Sequence, residues 1–292
     1  MTLWRFIKLF FLSLGFFLAI LLTYGYLFGQ RKYEVHHQTM YFSDLPPAFE
    51  GYKILHLSDL HIGSLHDGRE SDLDSIIKLV NEQKCNMIVF TGDLINRRTN
   101  ELDGFKRPLS SLKAPDGIYS VMGNHDYCTY ARFETEKERL ADFEQLNRRQ
   151  QSYGWTLLRN AHTFIHHGKD SIAIIGVDNW GAPPFPQYGD IVAASKGVKK
   201  SDFCILLSHD PSHWTGEVVP KTSIQLTLSG HTHAGQFKVF GWSPCKYKYP
   251  LWTGIHTEGS QVLSISDGVG NWLPFRFGAW PEINVITLRK YK

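Results

Sequence analysis

Cysteine is scarce in this chain. Its 292 residues hold four, Cys85, Cys128, Cys204 and Cys245, and no two of them form a Cys-x-x-Cys pair. That speaks against a zinc ribbon and against a thioredoxin-like redox site. Cys85 opens the apolar run CNMIVF and Cys204 lies inside FCILLS. Both read as small core residues rather than disulfide partners. Acidic charge is missing altogether from residues 1–32, which contain Arg5, Lys8, Arg31 and Lys32. The chain as a whole has 31 bases, 28 acids and a net charge of +3. The surplus therefore sits at the N-terminus, and the other 260 residues carry 27 bases and 28 acids. A body without basic surplus is a poor fit to a protein held mainly by nucleic-acid phosphates, so no nucleic-acid partner is expected. Internal repeats, low-complexity tracts and linkers are also absent after residue 50, which excludes a solenoid or a fibre and leaves one domain.

Charge of either sign is missing from Leu9 to Phe28, the 20-residue run LFFLSLGFFLAILLTYGYLF. A helix of that length crosses a hydrocarbon core of roughly 30 Å. Tyr24 and Tyr26 fall near one end, where amphipathic rings favour the interface. No small-x-small cleavage site follows, and the run is long for a signal peptide. No face is polar, so a buried core helix is excluded. The expectation is an uncleaved single-pass anchor over residues 1–32, embedded through residues 9–28. The flanking bases favour the body outside by a narrow margin. Residues 33–50 read as a tether plus a first strand, and residues 51–292 as the catalytic-type domain.

Short apolar runs in the body alternate with helical or loop segments. Strands are expected at 53–57, 87–91, 118–122, 171–176, 203–208, 225–229, 261–265 and 283–288. Leu73, Ile76, Ile77 and Val80 share one helical face, and 131–153 reads as a charged surface helix carrying Leu140, Phe143 and Leu146. The pattern predicts an α/β body, with sheets packed on each other in the strand-rich second half.

Polar residues cluster directly after five of these runs. They are Asp59-Leu60-His61, Gly92-Asp93, Gly123-Asn124-His125-Asp126, His209-Asp210 and Gly230-His231-Thr232-His233. Ligands in α/β sheets gather at the carboxyl ends of strands. Asp, His and Asn at one such edge make a mixed N/O site for borderline divalent ions such as Mn, Fe, Zn or Co. Asp-x-His and His-x-His on extended backbone would put both side chains on one face. Asp93 has two oxygens and can bridge two ions, and such a pair can clamp a phosphate and activate a water for in-line attack.

With these five segments in order, the chain resembles the calcineurin-like metallophosphoesterase superfamily over about residues 50–290. The resemblance implies a four-layer α/β/β/α sandwich. It assigns one ion to Asp59, His61 and His233, the second to Asn124, His209 and His231, and makes Asp93 the bridge. It makes His125 the residue that stabilises the attacked phosphate and protonates the leaving oxygen, with Asp126 orienting His125. A narrower likeness, through SDLHIG, GDLINRR, GNHDY, LLSHDP, SGHTHAGQ and the tail 273–283, is to bacterial membrane-associated phosphodiesterases that include UDP-2,3-diacylglucosamine hydrolases. Ala234 stands where that subgroup has a second glycine. The resemblance implies a phosphodiester or pyrophosphate hydrolase, with a lipid-linked substrate in view. A phosphomonoesterase acting on phosphoprotein or small phosphate esters is the alternative, and a non-enzymatic scaffold fits poorly with an intact ligand set. Arg97, Arg98 and Arg276 are candidate substrate contacts, since Arg can fork onto phosphate. Six tryptophans after residue 179 are candidates for a lipid-facing surface.

Overall fold

The computed structural model describes residues 3–66 and 68–291. The outer ends of the expected anchor and domain, residues 1, 2 and 292, and residue 67 lie outside the described residues.

Among the described residues, twelve strands form two six-stranded sheets. The first contains β1 (Glu34–Phe42), β2 (Lys53–Leu57), β3 (Met87–Phe90), β4 (Ile118–Ser120), β5 (Thr156–Leu157) and β12 (Glu282–Lys290). Its order is β1-β12-β2-β3-β4-β5, with β2 to β5 parallel and β12 antiparallel to β2. The second contains β6 (Ala161–His167), β7 (Asp170–Gly176), β8 (Phe203–Leu207), β9 (Leu226–Ser229), β10 (Gly254–Glu258) and β11 (Gln261–Ile265), in the order β10-β11-β9-β8-β7-β6. Here β7, β8, β9 and β11 are parallel.

The two sheets meet through Ile54, Met87 and Val89 on one side and Ile172, Ile174, Ile205 and Leu228 on the other. Outside the first sheet, the helix Glu70–Glu82 buries Leu73, Ile76, Ile77 and Val80, the four residues that the helical period picks out. Outside the second, Ile191, Ala194, Trp214 and Val218 cover Ala173, Ile175, Cys204 and Leu206. The result is a four-layer α/β/β/α arrangement. Cys85, Cys128 and Cys204 are buried, and all four cysteines are free.

Local chemistry moved some boundaries. The charged helix starts at Glu136 rather than near 131, because Thr135 caps it by accepting from the Glu138 backbone N–H at 3.2 Å. Phe143 and Leu146 are buried, but Leu140 faces solvent. The polar edge strand β10, GIHTE, has no apolar run to announce it and was not anticipated.

The segment before the body contains β1. Residues 34–42 pair in parallel register with all nine residues of β12. The helix Leu3–Leu27 exposes its apolar side chains along most of its length and is long and apolar enough to cross a membrane. Its C-terminal end is docked on the body. The Arg276 backbone N–H donates to the Gly25 carbonyl at 3.2 Å, and Gln30 Nε2 donates to the Pro274 carbonyl at 3.0 Å. Tyr24 packs edge-on against Phe277 and Trp280. Only glycine fits at 29, where a Cβ would stand 1.9 Å from the Arg276 carbonyl oxygen. Arg31 pairs with Asp72 and Lys32 with Glu34, so these two flanking bases are partnered by the body.

Candidate metal centre

The five polar segments converge at the carboxyl edges of both sheets. Asp59 and His61 follow β2, Asp93 follows β3, Asn124 and His125 follow β4, His209 follows β8, and His231 and His233 follow β9. The backbone there is not extended, as alternation along a strand required. Asp59, His61, Asp93, His231 and His233 all have positive φ, between 44° and 72°. Left-handed backbone is unfavourable for residues with a Cβ and collects at functional sites. These kinks, rather than a period of two, turn each pair of side chains inward. Close approach of the loops also requires glycine: a Cβ at 230 would stand 2.2 Å from Asp59 Oδ2.

Among the described residues, three carboxylate–imidazole groups have ligand atoms within 4.8 Å of one another: Asp59, His61 and His233; His61, Asp93 and His125; and Asp93, His209 and His231. In the first, His61 Nε2 lies 3.1 Å from His233 Nε2, and His233 Nε2 lies 3.2 Å from Asp59 Oδ1. Around the third, Asn124 Oδ1 lies 3.2 Å from His209 Nε2 and 2.8 Å from His231 Nδ1. Asp93 Oδ2 stands between the two sets, 3.6 Å from His61 Nε2 and 3.2 Å from His209 Nε2. Donors about 2.1 Å from one ion sit about 3.0–3.4 Å apart, so both sets fit a divalent metal. Electrostatics agree. Burial holds His61, His231 and His233 below the usual imidazole range and keeps their lone pairs free. Burial opposes charge on His209 too, but Asp93 outweighs it and pushes the imidazole up to about 10. A proton there balances the carboxylate, which is what a bound cation would do. Burial alone would raise Asp93, but His209 and His125 hold it well below the carboxylate range.

His125 is half-buried. Its backbone N–H donates to Asp93 Oδ1 at 2.8 Å, and its ring lies 4.8 Å from that of His61. The expectation that Asp126 orients His125 is corrected. The partner of His125 Nδ1 is the Asn96 carbonyl, at 2.7 Å. The Asp126 carboxylate instead accepts the backbone N–H groups of Asp93, Leu94, Ile95 and Gly123. It ties the loop after β3 to the loop after β4. Burial and Asp93 raise its carboxyl to about 7, against the N–H groups that hold it down.

Arg276, expected as a candidate substrate contact, has only protein partners among the described residues. It is fully buried and donates to Asn271 Oδ1, to the Ala279 and Gly270 carbonyls, and to His233 Nδ1 at 2.9 Å. It backs a candidate ligand from behind. Arg98 turns away, donating to the Arg132 carbonyl and lying 4.3 Å over the Phe133 ring. Arg97 remains exposed beside Asn96. Sequence reading missed Tyr130 and Tyr249, and gave no role to Asp210 beside His209. Tyr130 stacks on His125 with ring centroids 4.2 Å apart. Tyr249 Oη lies 2.7 Å and Asp210 Oδ2 3.4 Å from His231 Nε2. Only Asp210, adjacent to His209, had a sequence signal.

Residues 52–235 match the family described as Calcineurin-like phosphoesterase. A Bacillus subtilis protein named Uncharacterized metallophosphoesterase YkuE is 32% identical over 286 residues, covering 92% of both chains. A Helicobacter pylori protein named Uncharacterized metallophosphoesterase is 31% identical over 285 residues, covering 95% of this chain and 70% of that one. A Danio rerio protein named Transmembrane protein with metallophosphoesterase domain is 29% identical over 281 residues and 93% of this chain. The match spans 61% of the length of that relative.

Proposed function

This chain belongs to the calcineurin-like phosphoesterase family, and from that premise we propose that it is a membrane-anchored hydrolase of phosphodiester or pyrophosphate bonds that works with two divalent ions. The observation that carries this reading is Asp93 Oδ2, shared between His61 at 3.6 Å and His209 at 3.2 Å. One carboxylate between two ligand sets is what a bridged pair of ions requires. Asp59, His61 and His233 would hold one ion, and Asn124, His209 and His231 the other. Bound there, divalent ions polarise a phosphoryl oxygen and make water nucleophilic at neutral pH.

The chain's own residues do the rest. His125 stands beside the cluster with Nδ1 held by a carbonyl, which fixes that nitrogen as the N–H donor and aims the other at the reacting phosphate. As the imidazolium, with Nδ1–H kept on the carbonyl, it gives the Nε2 proton to the leaving oxygen and is left as the neutral Nδ1–H ring. Asp126 locks the loops that carry Asp93 and His125 at one separation. The docked helix supports a substrate drawn from the bilayer, and UDP-2,3-diacylglucosamine is one member of that class.

The test is turnover of bis(p-nitrophenyl) phosphate and p-nitrophenyl phosphate by the full chain with Mn²⁺, with and without chelator. The diester is expected to turn over faster, and only with metal. Chelator-resistant turnover, or none with any divalent ion, would sink the reading. A faster monoester would replace the diester reading with a phosphomonoesterase.

A further inference from the structure

Between the docked end of the apolar helix and the candidate metal centre lies a cavity of about 630 Å³. That is within the range of small-molecule sites, about 300–1,000 Å³. Tyr26 and Leu27 line it from the helix, Asn96 and Arg97 from the loop after β3, and Trp272 and Leu273 from the loop after β11.

Its two ends differ in chemistry. One is Asn96, whose carbonyl holds His125. The cavity therefore begins at the immediate neighbour of the residue that faces the ligand cluster. At the other end Tyr26, Leu27, Trp272 and Leu273 are each 44–57% exposed. Leu27 lies in the last turn of the 9–28 apolar run, at the level where a spanning helix leaves the hydrocarbon, and aromatic rings collect at that level. The helix cannot swing away freely, because Gly29 fits against the Arg276 carbonyl and Gln30 bonds both Pro274 and Arg69.

The charge at the wall is positive. The Arg97 guanidinium has no hydrogen-bond or ion-pair partner among the described residues. Glu101, also on the wall, is occupied by the backbone N–H groups of Asn96, Arg97 and Arg98 at 2.6, 2.9 and 3.1 Å. An unpaired guanidinium beside a carboxylate already occupied by backbone N–H groups calls for an anion with oxygen acceptors.

We propose that this cavity holds the phosphate-bearing head group of a membrane lipid. Arg97 takes the phosphate, and the acyl chains leave past Tyr26, Leu27 and Trp272 into the bilayer. The inference rests on the reading of the chain as a membrane-anchored phosphoesterase and narrows its substrate to lipids whose head group enters from the membrane side. A soluble phosphate ester would use Arg97 and leave the apolar rim without a role.

The experiment is equilibrium binding to the full chain in detergent with chelator present, so that no metal contributes and turnover plays no part. The probes are dihexanoyl phosphatidic acid and glycerol 3-phosphate. The phosphatidic acid is expected to bind at least tenfold more tightly. Arg97→Ala should weaken it about tenfold, and Trp272→Ala should erase its advantage over glycerol 3-phosphate. Lys200→Ala, at a distant exposed base, should change neither. Equal affinity for the two probes would overturn the lipid assignment, and affinities unmoved by Arg97→Ala would overturn the site. Failure of the hydrolase reading appears separately, in the diester assay.

Discussion

Asp93 and His125 make different contacts, and their variants should fail differently. Asp93→Asn removes the oxygen shared by His61 and His209, and is expected to abolish turnover together with metal retention. His125→Ala leaves the two ligand sets whole, and is expected to cost about 10²–10⁴ in rate at unchanged metal content. Elemental analysis beside kinetics separates the two. Arg276→Met takes away the donor behind His233. A donor on Nδ1 keeps the proton of the neutral ring on Nε2, the nitrogen that faces Asp59 and His61, so removing it frees Nε2 and metal affinity should rise. Metal titration checks this. His56, fully buried on β2, is pushed by burial down to about 4 from its ordinary 6.5. The unfolded chain takes up this proton before the folded one does. The contribution of neutral His56 is therefore complete above pH 6.5, shrinks as pH falls towards 4 and is flat below. Over that window it amounts to about 3 kcal/mol. Thermal unfolding of metal-free protein from pH 7.5 to 4 should show the loss, and His56→Gln should flatten it. Every candidate ligand was legible as a residue, because Asp, His and Asn directly after apolar runs are conspicuous. The misread partners share one cause. Asp126 lies next to His125 in sequence, yet its carboxylate faces the backbone of another loop, and the carbonyl that holds His125 belongs to Asn96, 29 residues away. Backbone acceptors carry no side-chain signature.

Among the elements, those with a strong apolar period were legible. The helix Glu70–Glu82 and the runs at β2, β3, β8 and β11 fall where the pattern puts them, since burial on one or both faces writes the period into the residues. Weakly apolar elements such as β10 and the two-residue β5 were not legible, because pairing with a neighbour defines them. The docked end of the first helix belongs with these. Gly25 and Gly29 look like ordinary residues of an apolar run, and only the Phe275 ring and the Arg276 carbonyl opposite show why a side chain cannot stand there. Gly29→Leu should therefore push the helix end off the body. Limited proteolysis between residues 28 and 34 is expected to become fast in the variant and to stay slow in the parent, with the β-sheet signal in circular dichroism unchanged.

For the whole molecule, metal binding and folding are linked, because Asp59, Asp93, His209 and His231 come from both sheets. An ion held by residues of both sheets stabilises their packing by mass action. Mn²⁺ at a hundred times its dissociation constant should add about 2.7 kcal/mol per site, read as a rise in the unfolding temperature that chelator reverses. The residues alone determined the α/β class, the apolar span at 9–28, the place of the basic surplus and the five polar segments among which the family resemblance assigns the candidate ligands. Each is written in local composition, period or spacing, which folding does not alter. Tertiary structure decided how the ligands turn inward, through left-handed kinks instead of extended backbone. It buried Arg276 behind His233, gave His125 a carbonyl partner, and seated the end of the span against the loop that backs the site. These depend on which backbone atoms meet across distances of up to some 250 residues, and such meetings are set by the packing of the two sheets rather than by any segment's own preference.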